Sequence, residues 1–83
     1  MPKGAQKKES DITYDILEEL GVLDVYQTGW QKEVNLIAWN NGNPKIDIRD
    51  WSPEREHMSR GITLHTKEAV QLMKILEERF VNQ

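Results

Sequence analysis

Two alternating segments on either side of an Asn-Gly pair constrain the fold of this chain more than any other feature. Residues 32–40, KEVNLIAWN, alternate between two kinds of side chain, which is typical of a β-strand. Asn41-Gly42 follows, and this pair favours a tight turn because both residues tolerate positive φ. Pro44 cannot donate a ladder hydrogen bond, so it fits the start of a returning strand, KIDIRDW, at residues 45–51. The pattern predicts a β-hairpin.

The returning strand has two faces of different character. Successive side chains of a strand point to opposite faces, so Ile46 and Ile48 share one face, which we interpret as a core face. The other face combines positive charge with an aromatic ring, and it carries Lys45, Asp47, Arg49 and Trp51.

The segments around the hairpin are less uniform in what they indicate. Residues 1–10, MPKGAQKKES, are predicted to form a disordered basic tail, and residues 11–83 a single domain. The start of that domain fits two structures: Asp11 as a cap and Gly21 as a stop suit a helix, whereas the alternation of apolar residues suits a strand.

The second half of the domain is easier to interpret. Residues 52–61 are predicted to form a polar loop, and GITL, residues 61–64, a short strand with Ile62 and Leu64 buried. Thr66 is the expected N-cap of a helix that ends at Phe80.

The apolar stripe of this helix is wider than contact with one sheet requires. Two explanations are open: deep burial on the sheet, or contact with a second subunit. A chain of 83 residues without cysteine buries only about 60% of its unfolded surface, so self-association is favoured. The predicted dimer contacts are Leu72, Met73, Leu76 and Phe80.

Composition excludes some classes of function and leaves others open. The net charge of −3 does not favour a nucleic-acid-binding protein, but five carboxylates fall within residues 11–30, so a local cationic groove stays possible elsewhere. No apolar run approaches the roughly 18 residues of a membrane span, and we expect a cytoplasmic protein, associated with a bacterial nucleoid, with no membrane partner. His57 and His65 match no metal-ligand spacing. We expect no metal, no cofactor and no enzymatic activity.

The cationic and aromatic face of the hairpin matches the chemistry of single-strand binding. Such proteins hold phosphates with cations and stack bases on aromatic rings. Lys45, Arg49 and Trp51 supply both on one strand, and Trp39 ends the neighbouring strand. The alternative is a solvated row of charges with tryptophans that cap the core, and Asp47 between two cations favours that alternative.

The order of these segments resembles the single-stranded-DNA-binding family of positive cofactor four, a general transcriptional coactivator, and is most similar to its bacterial YdbC-like branch. The match lies in GWQKEVNLIAWN (29–40), KIDIRDW (45–51), RGITL (60–64) and the helix at 66–80. The resemblance implies an α+β fold, with a curved four-stranded antiparallel sheet followed by a C-terminal helix. It also implies a homodimer and makes residues 11–25 a long first strand.

The resemblance implies a set of nucleic-acid-binding residues as well. Arg49 matches the arginine of the family's IDIR motif, Arg60 the basic residue before Gly-Ile, and Trp39 an aromatic position at the end of strand two. Trp51 lies at or beside a second aromatic position. Three further cations are placed by their position in a strand or in the adjoining loop, namely Lys32, Lys45 and Arg55.

The predicted function is therefore largely sequence-independent binding of single-stranded DNA by a homodimer, in transcription, replication or repair. Two alternatives are an RNA-binding module and a dimeric protein-interaction domain anchored by the tryptophans.

Overall fold

The chain folds as one antiparallel sheet followed by one helix. The computed structural model describes residues 12–82, so the predicted basic tail lies outside the described residues. The strands are β1 (Tyr14–Val25), β2 (Gln31–Trp39), β3 (Lys45–Trp51) and β4 (Met58–Leu64), and helix α1 spans Thr66–Phe80. They pair in the order β1-β2-β3-β4, which confirms the predicted α+β class.

The segment that suited either a helix or a strand is a strand. β1 pairs along its whole length with β2, as the family resemblance implied. Three register shifts interrupt this pairing. Each shift is a bulge, and bulges bend a strand and increase its twist.

The hairpin turn lies one residue earlier than the sequence predicted. The positive φ values belong to Asn40 (51°) and Asn41 (62°), and Gly42 donates its N–H to the Trp39 carbonyl at 2.8 Å. A Cβ on Gly42 would lie 3.0 Å from that carbonyl oxygen. The glycine is therefore needed for a close backbone approach, and asparagine supplies the left-handed conformation.

The helix also begins differently from the prediction. His65 is the N-cap residue and Thr66 the first helical residue. The side chain of Glu68 accepts a hydrogen bond from the His65 N–H at 2.8 Å, which satisfies a backbone donor that the helix cannot use.

The strand register confirms the two faces predicted for β3. Asp47 lies opposite Asn35 of β2, and Arg49 lies opposite Glu33. These side chains share one face with Trp51, while Ile46 and Ile48 lie on the other.

The sheet bends toward the face that carries Arg49. The Tyr14 ring of β1 lies 5.4 Å from the Trp39 ring of β2 and 5.7 Å from the Trp51 ring of β3. Tyr14 pairs with Trp39 at one end of β2, whereas Trp51 pairs with Gln31 at the other end, about 26 Å away along a straight strand. The rings of Tyr14 and Trp51 therefore meet only because the sheet bends. We call the side on which these rings meet the concave face.

The most deeply buried side chains lie on the concave face, although several of them are polar. Trp51 is 1% exposed, Ile37 and Asp47 are fully buried, and Asn35 is also buried. The curvature closes this face over its own side chains, so it forms the core of the isolated chain.

The opposite face of the sheet stays partly open, and we call it the apolar face. It includes Val34, Ile46, Ile48 and Leu64, which line a hollow of about 580 Å³ together with residues of α1. Ile62, predicted to be buried, is 53% exposed, because the helix does not cover it. The predicted dimer residues are also exposed, and all of them line the hollow, namely Leu72, Met73, Leu76 and Phe80.

No helix within residues 12–82 is long and apolar enough to cross a membrane.

Candidate nucleic-acid interface

Three of the predicted binding residues line a single open groove. Trp39, Lys45 and Arg49 meet there, although they come from two strands. The groove has a volume of about 400 Å³ and lies where β2 ends and β3 begins. Its remaining lining residues are Ile12, Asn40 and Thr63.

Arg49 is fixed in the groove by the buried carboxylate of Asp47. Its Nε donates to Oδ1 at 2.6 Å and its Nη2 to Oδ2 at 2.7 Å, a two-bond geometry that is specific to arginine. Thr63 Oγ1 also donates to Asp47, at 3.3 Å, and Arg49 Nη1 donates to the Ser59 carbonyl at 3.2 Å. Because a buried carboxylate needs such partners, this pair holds the guanidinium in one position.

The fixed guanidinium in turn positions the ring of Trp39. Arg49 Cζ lies 4.8 Å from the ring centroid of Trp39, a cation–π contact. Tyr14 packs against the same tryptophan at an interplanar angle of 46°. Trp39 is only partly buried, so it presents a held, partly open ring to the groove.

Gly61 makes room for Arg49. Gly61 of β4 pairs with Arg49, and a Cβ at this position would collide with the Arg49 side chain and the Ile48 carbonyl. This glycine therefore contributes to the position of Trp39 through Arg49.

Lys45 is the cation of the groove without a competing carboxylate. No acidic side chain within residues 12–82 pairs with it. Since Asp47 neutralises Arg49, Lys45 carries the uncompensated positive charge among the described residues of the groove.

Trp51 does not line the groove. It is 1% exposed, and its indole Nε1 is buried without a hydrogen-bond partner among the described residues. This position favours the alternative that Trp51 caps the core. Its role as a stacking platform stays a prediction.

The other predicted cations also lie outside the groove. Lys32 is on the apolar side of the sheet, where it pairs with Asp50 at 2.9 Å. Hydrogen bonds with Asp50 and then Tyr26 raise the pKa of Lys32 above its ordinary value. Arg60 is exposed beside the bulge in β4. Arg55 lies on the concave face and pairs with Glu19 and Glu33.

A buried carboxylate, Glu33, organises the region around Arg55, and it is not among the residues predicted from the sequence. It accepts hydrogen bonds from Gln31 at 2.7 Å, from Asn35 at 3.1 Å and from Arg55 at 3.0 Å. Burial by itself raises the pKa of Glu33, but these three donors outweigh it and lower the pKa. The sequence feature that could have indicated this site is the alternation that places Gln31, Glu33 and Asn35 on one face of β2.

The segments that form β2, β3, β4 and most of the helix match a known protein family. The family model described as Transcriptional Coactivator p15 (PC4) matches residues 26–75. This chain belongs to that family. The family is nucleic-acid-binding and non-enzymatic, and its coactivators bind single-stranded DNA. The match confirms the predicted resemblance to this family, whereas similarity to its YdbC-like branch stays a prediction. An uncharacterized protein of Treponema pallidum (strain Nichols) is 38% identical over 66 residues, 80% of this chain and 78% of that protein.

Replacing Gly61 by alanine tests how the groove is built. We expect Gly61→Ala to lower the free energy of unfolding by about 1–3 kcal/mol, the usual cost of overpacking, because the Arg49 side chain and the Ile48 carbonyl must both move. Gly21→Ala is the matched control: a Cβ there meets nothing within 4 Å, so no loss is expected. Urea unfolding measures both variants, and an equal loss in the two would contradict the role assigned to Gly61.

Acid should weaken the fold through Glu33. Because the folded-state pKa of Glu33 is lowered, its contribution is present above its unfolded pKa and is lost as pH falls through the folded value. We expect Glu33→Gln to be less stable near pH 7 and to lose less stability on acidification toward pH 3. Urea unfolding across this range measures the effect, with the exposed Glu56→Gln as control. If the free energy of unfolding fell by the same amount on acidification in the wild type and in Glu33→Gln, this account would be contradicted.

Proposed function

We propose that this chain binds single-stranded DNA in the groove formed by Trp39, Lys45 and Arg49. The observation that supports this most is a groove that combines a held, partly open tryptophan ring with a lysine that has no ion-pair partner within residues 12–82. Trp39 stacks on a base, and Lys45 contacts a phosphate. Arg49 acts mainly by holding Trp39, because Asp47 and the Ser59 carbonyl already accept from three of its five N–H donors.

The proposed contacts explain why binding should show little sequence preference. Every base has a π-face, so stacking tolerates any sequence, and a lysine ammonium contacts phosphate without reading base edges. The family assignment supports this chemistry and a transcription-related role. We further propose that the protein acts without catalysis, on the chromosome in the cytoplasm, in transcription, replication or repair.

We also propose that the functional unit is a homodimer formed through the apolar face. In residues 12–82 the fully or nearly buried hydrophobic side chains are few, whereas Leu72, Met73, Leu76 and Phe80 are all substantially exposed. Exposed apolar surface of this kind favours association. A second copy would bury its own identical surface there, and the pair would present two grooves to one strand.

Substitution at the groove tests the binding proposal. We expect Trp39→Leu to weaken binding of a short oligo-thymidine by about 5- to 150-fold, the range for loss of one stacked base. Lys45→Gln should weaken binding and reduce the salt dependence by about 0.7 in log–log slope, one phosphate contact. Fluorescence anisotropy at several salt concentrations measures both.

The controls for this titration separate the proposal from its alternatives. Lys67→Gln removes an exposed charge on α1 and should leave binding unchanged, and duplex DNA should bind much more weakly. A matched RNA oligomer that binds more tightly would favour the RNA-binding alternative. Absence of single-strand binding by the wild type at low salt would contradict the proposal.

A charge placed in the apolar hollow tests the dimer. We expect the wild type to have a mass near 19 kDa, twice 9.7 kDa, and Leu76→Asp to shift it toward the monomer because the carboxylate would have to be buried. Gln71→Asp adds the same charge to α1 outside the residues that line the hollow and should remain dimeric. Light scattering after size exclusion measures the mass, and a monomeric wild type would refute the dimer.

A further inference from the structure

Arg55 is held on the concave face by two carboxylates in different environments. Its Nε and Nη2 both lie 3.0 Å from Glu33 Oε1, and its Nη1 lies 3.2 Å from Glu19 Oε2. The Glu33 side chain is 5% exposed, whereas the Glu19 side chain is 67% exposed. The two ion pairs therefore have different strengths.

The pair with Glu33 is the permanent one. Glu33 is buried and also accepts hydrogen bonds from Gln31 and Asn35, so it stays in place as an anion. Separating Arg55 from it would leave a buried charge without its cation, which is strongly unfavourable. Glu33 therefore fixes the orientation of the guanidinium.

The pair with Glu19 is the exchangeable one. Exposed ion pairs contribute little to stability because water and salt screen them. Glu19 also lies on an edge strand, at a bulge between Glu19 and Gly21. Beside it is a hollow of about 170 Å³, whose lining includes Gly21, Gln31 and Asn35. The carboxylate of Glu19 can leave Arg55 without disturbing a buried contact.

The backbone around Arg55 is shaped to point this side chain at the carboxylates. Glu54 and Arg55 have φ values of 60° and 59°, a left-handed conformation that is unfavourable for residues other than glycine. Ser52 closes the neck of the loop, since its N–H donates to the His57 carbonyl at 2.9 Å and its Oγ accepts from the His57 N–H at 2.7 Å. The loop thus holds a cation in a costly conformation on the face that carries the proposed groove.

We propose that Arg55 is a second phosphate-binding site on the concave face, and that Glu19 occupies it until a single strand displaces that carboxylate. This proposal rests on the proposed function. A carboxylate oxygen and a phosphate oxygen accept the same guanidinium hydrogen bonds, so Glu19 stands where a phosphate oxygen would bind. On exchange, Glu19 moves to solvent while Arg55 keeps its bonds to Glu33.

The proposal predicts that removing an acidic residue at one position increases affinity specifically. We expect Glu19→Gln to bind oligo-thymidine about threefold to fivefold more tightly than the wild type, the scale of one exposed ion pair. Its salt slope should stay close to that of the wild type, because Arg55 neutralises one phosphate in both proteins and releases the same counterions from the strand.

The matched control is Glu18→Gln. It makes the same charge change one residue away, but Glu18 pairs with Leu36 and so faces the other side of the sheet. A gain limited to Glu19→Gln supports the proposal. An equal gain in both variants overturns it, because the effect would then come from net charge alone.

A double-mutant cycle links the gain to Arg55. We expect the gain to disappear in Glu19→Gln/Arg55→Gln, with folding of each variant checked by circular dichroism. Arg55→Lys keeps the charge without the guanidinium fork, and the gain in that background should be intermediate. A gain that persists without Arg55 overturns the proposal. Binding by the wild type with no Glu19 effect overturns this site alone, whereas no binding by any variant overturns the proposed function as well.

Discussion

The buried pair of Asp47 and Arg49 is the interaction on which the groove depends. A fully buried carboxylate is tolerated only when it is paired and hydrogen-bonded, and Arg49 meets this need with two short bonds. The same guanidinium lies over Trp39. The need to pair the buried Asp47 carboxylate therefore fixes Arg49, and Arg49 fixes the Trp39 ring at the surface. Gly61 provides the space that Arg49 occupies.

Curvature of the sheet explains why polar residues form the core of the isolated chain. Bulges bend β1 so that Tyr14 reaches the rings of both β2 and β3. The concave face then closes over Asp47 and Asn35, while the apolar face retains exposed residues such as Ile62 and Phe80. A sheet that buries its polar face by bending leaves its apolar face for another surface, and this division of roles supports the proposed dimer.

The sequence predicted β2, β3 and the two faces of β3 well, because period-two alternation is a local property of the chain. The pattern left β1 open between helix and strand, and it placed the start of β4 at Gly61 although the strand begins at Met58. It placed the turn one residue late because Asn40 adopts positive φ as glycine does. It expected Ile62 to be buried because alternation does not say whether a covering element is present. The network around Glu33 depends on β1 and a distant loop coming together, and no local pattern indicates that.

The central claim, that the groove at Trp39 receives single-stranded DNA, can be tested most directly by nuclear magnetic resonance. Each tryptophan carries one indole N–H, so the signals of Trp39 and Trp51 report separately on the two rings. Titration with oligo-thymidine should shift the Trp39 indole signal strongly and leave the Trp51 signal nearly unchanged. A shift at Trp51 with none at Trp39 would contradict the account.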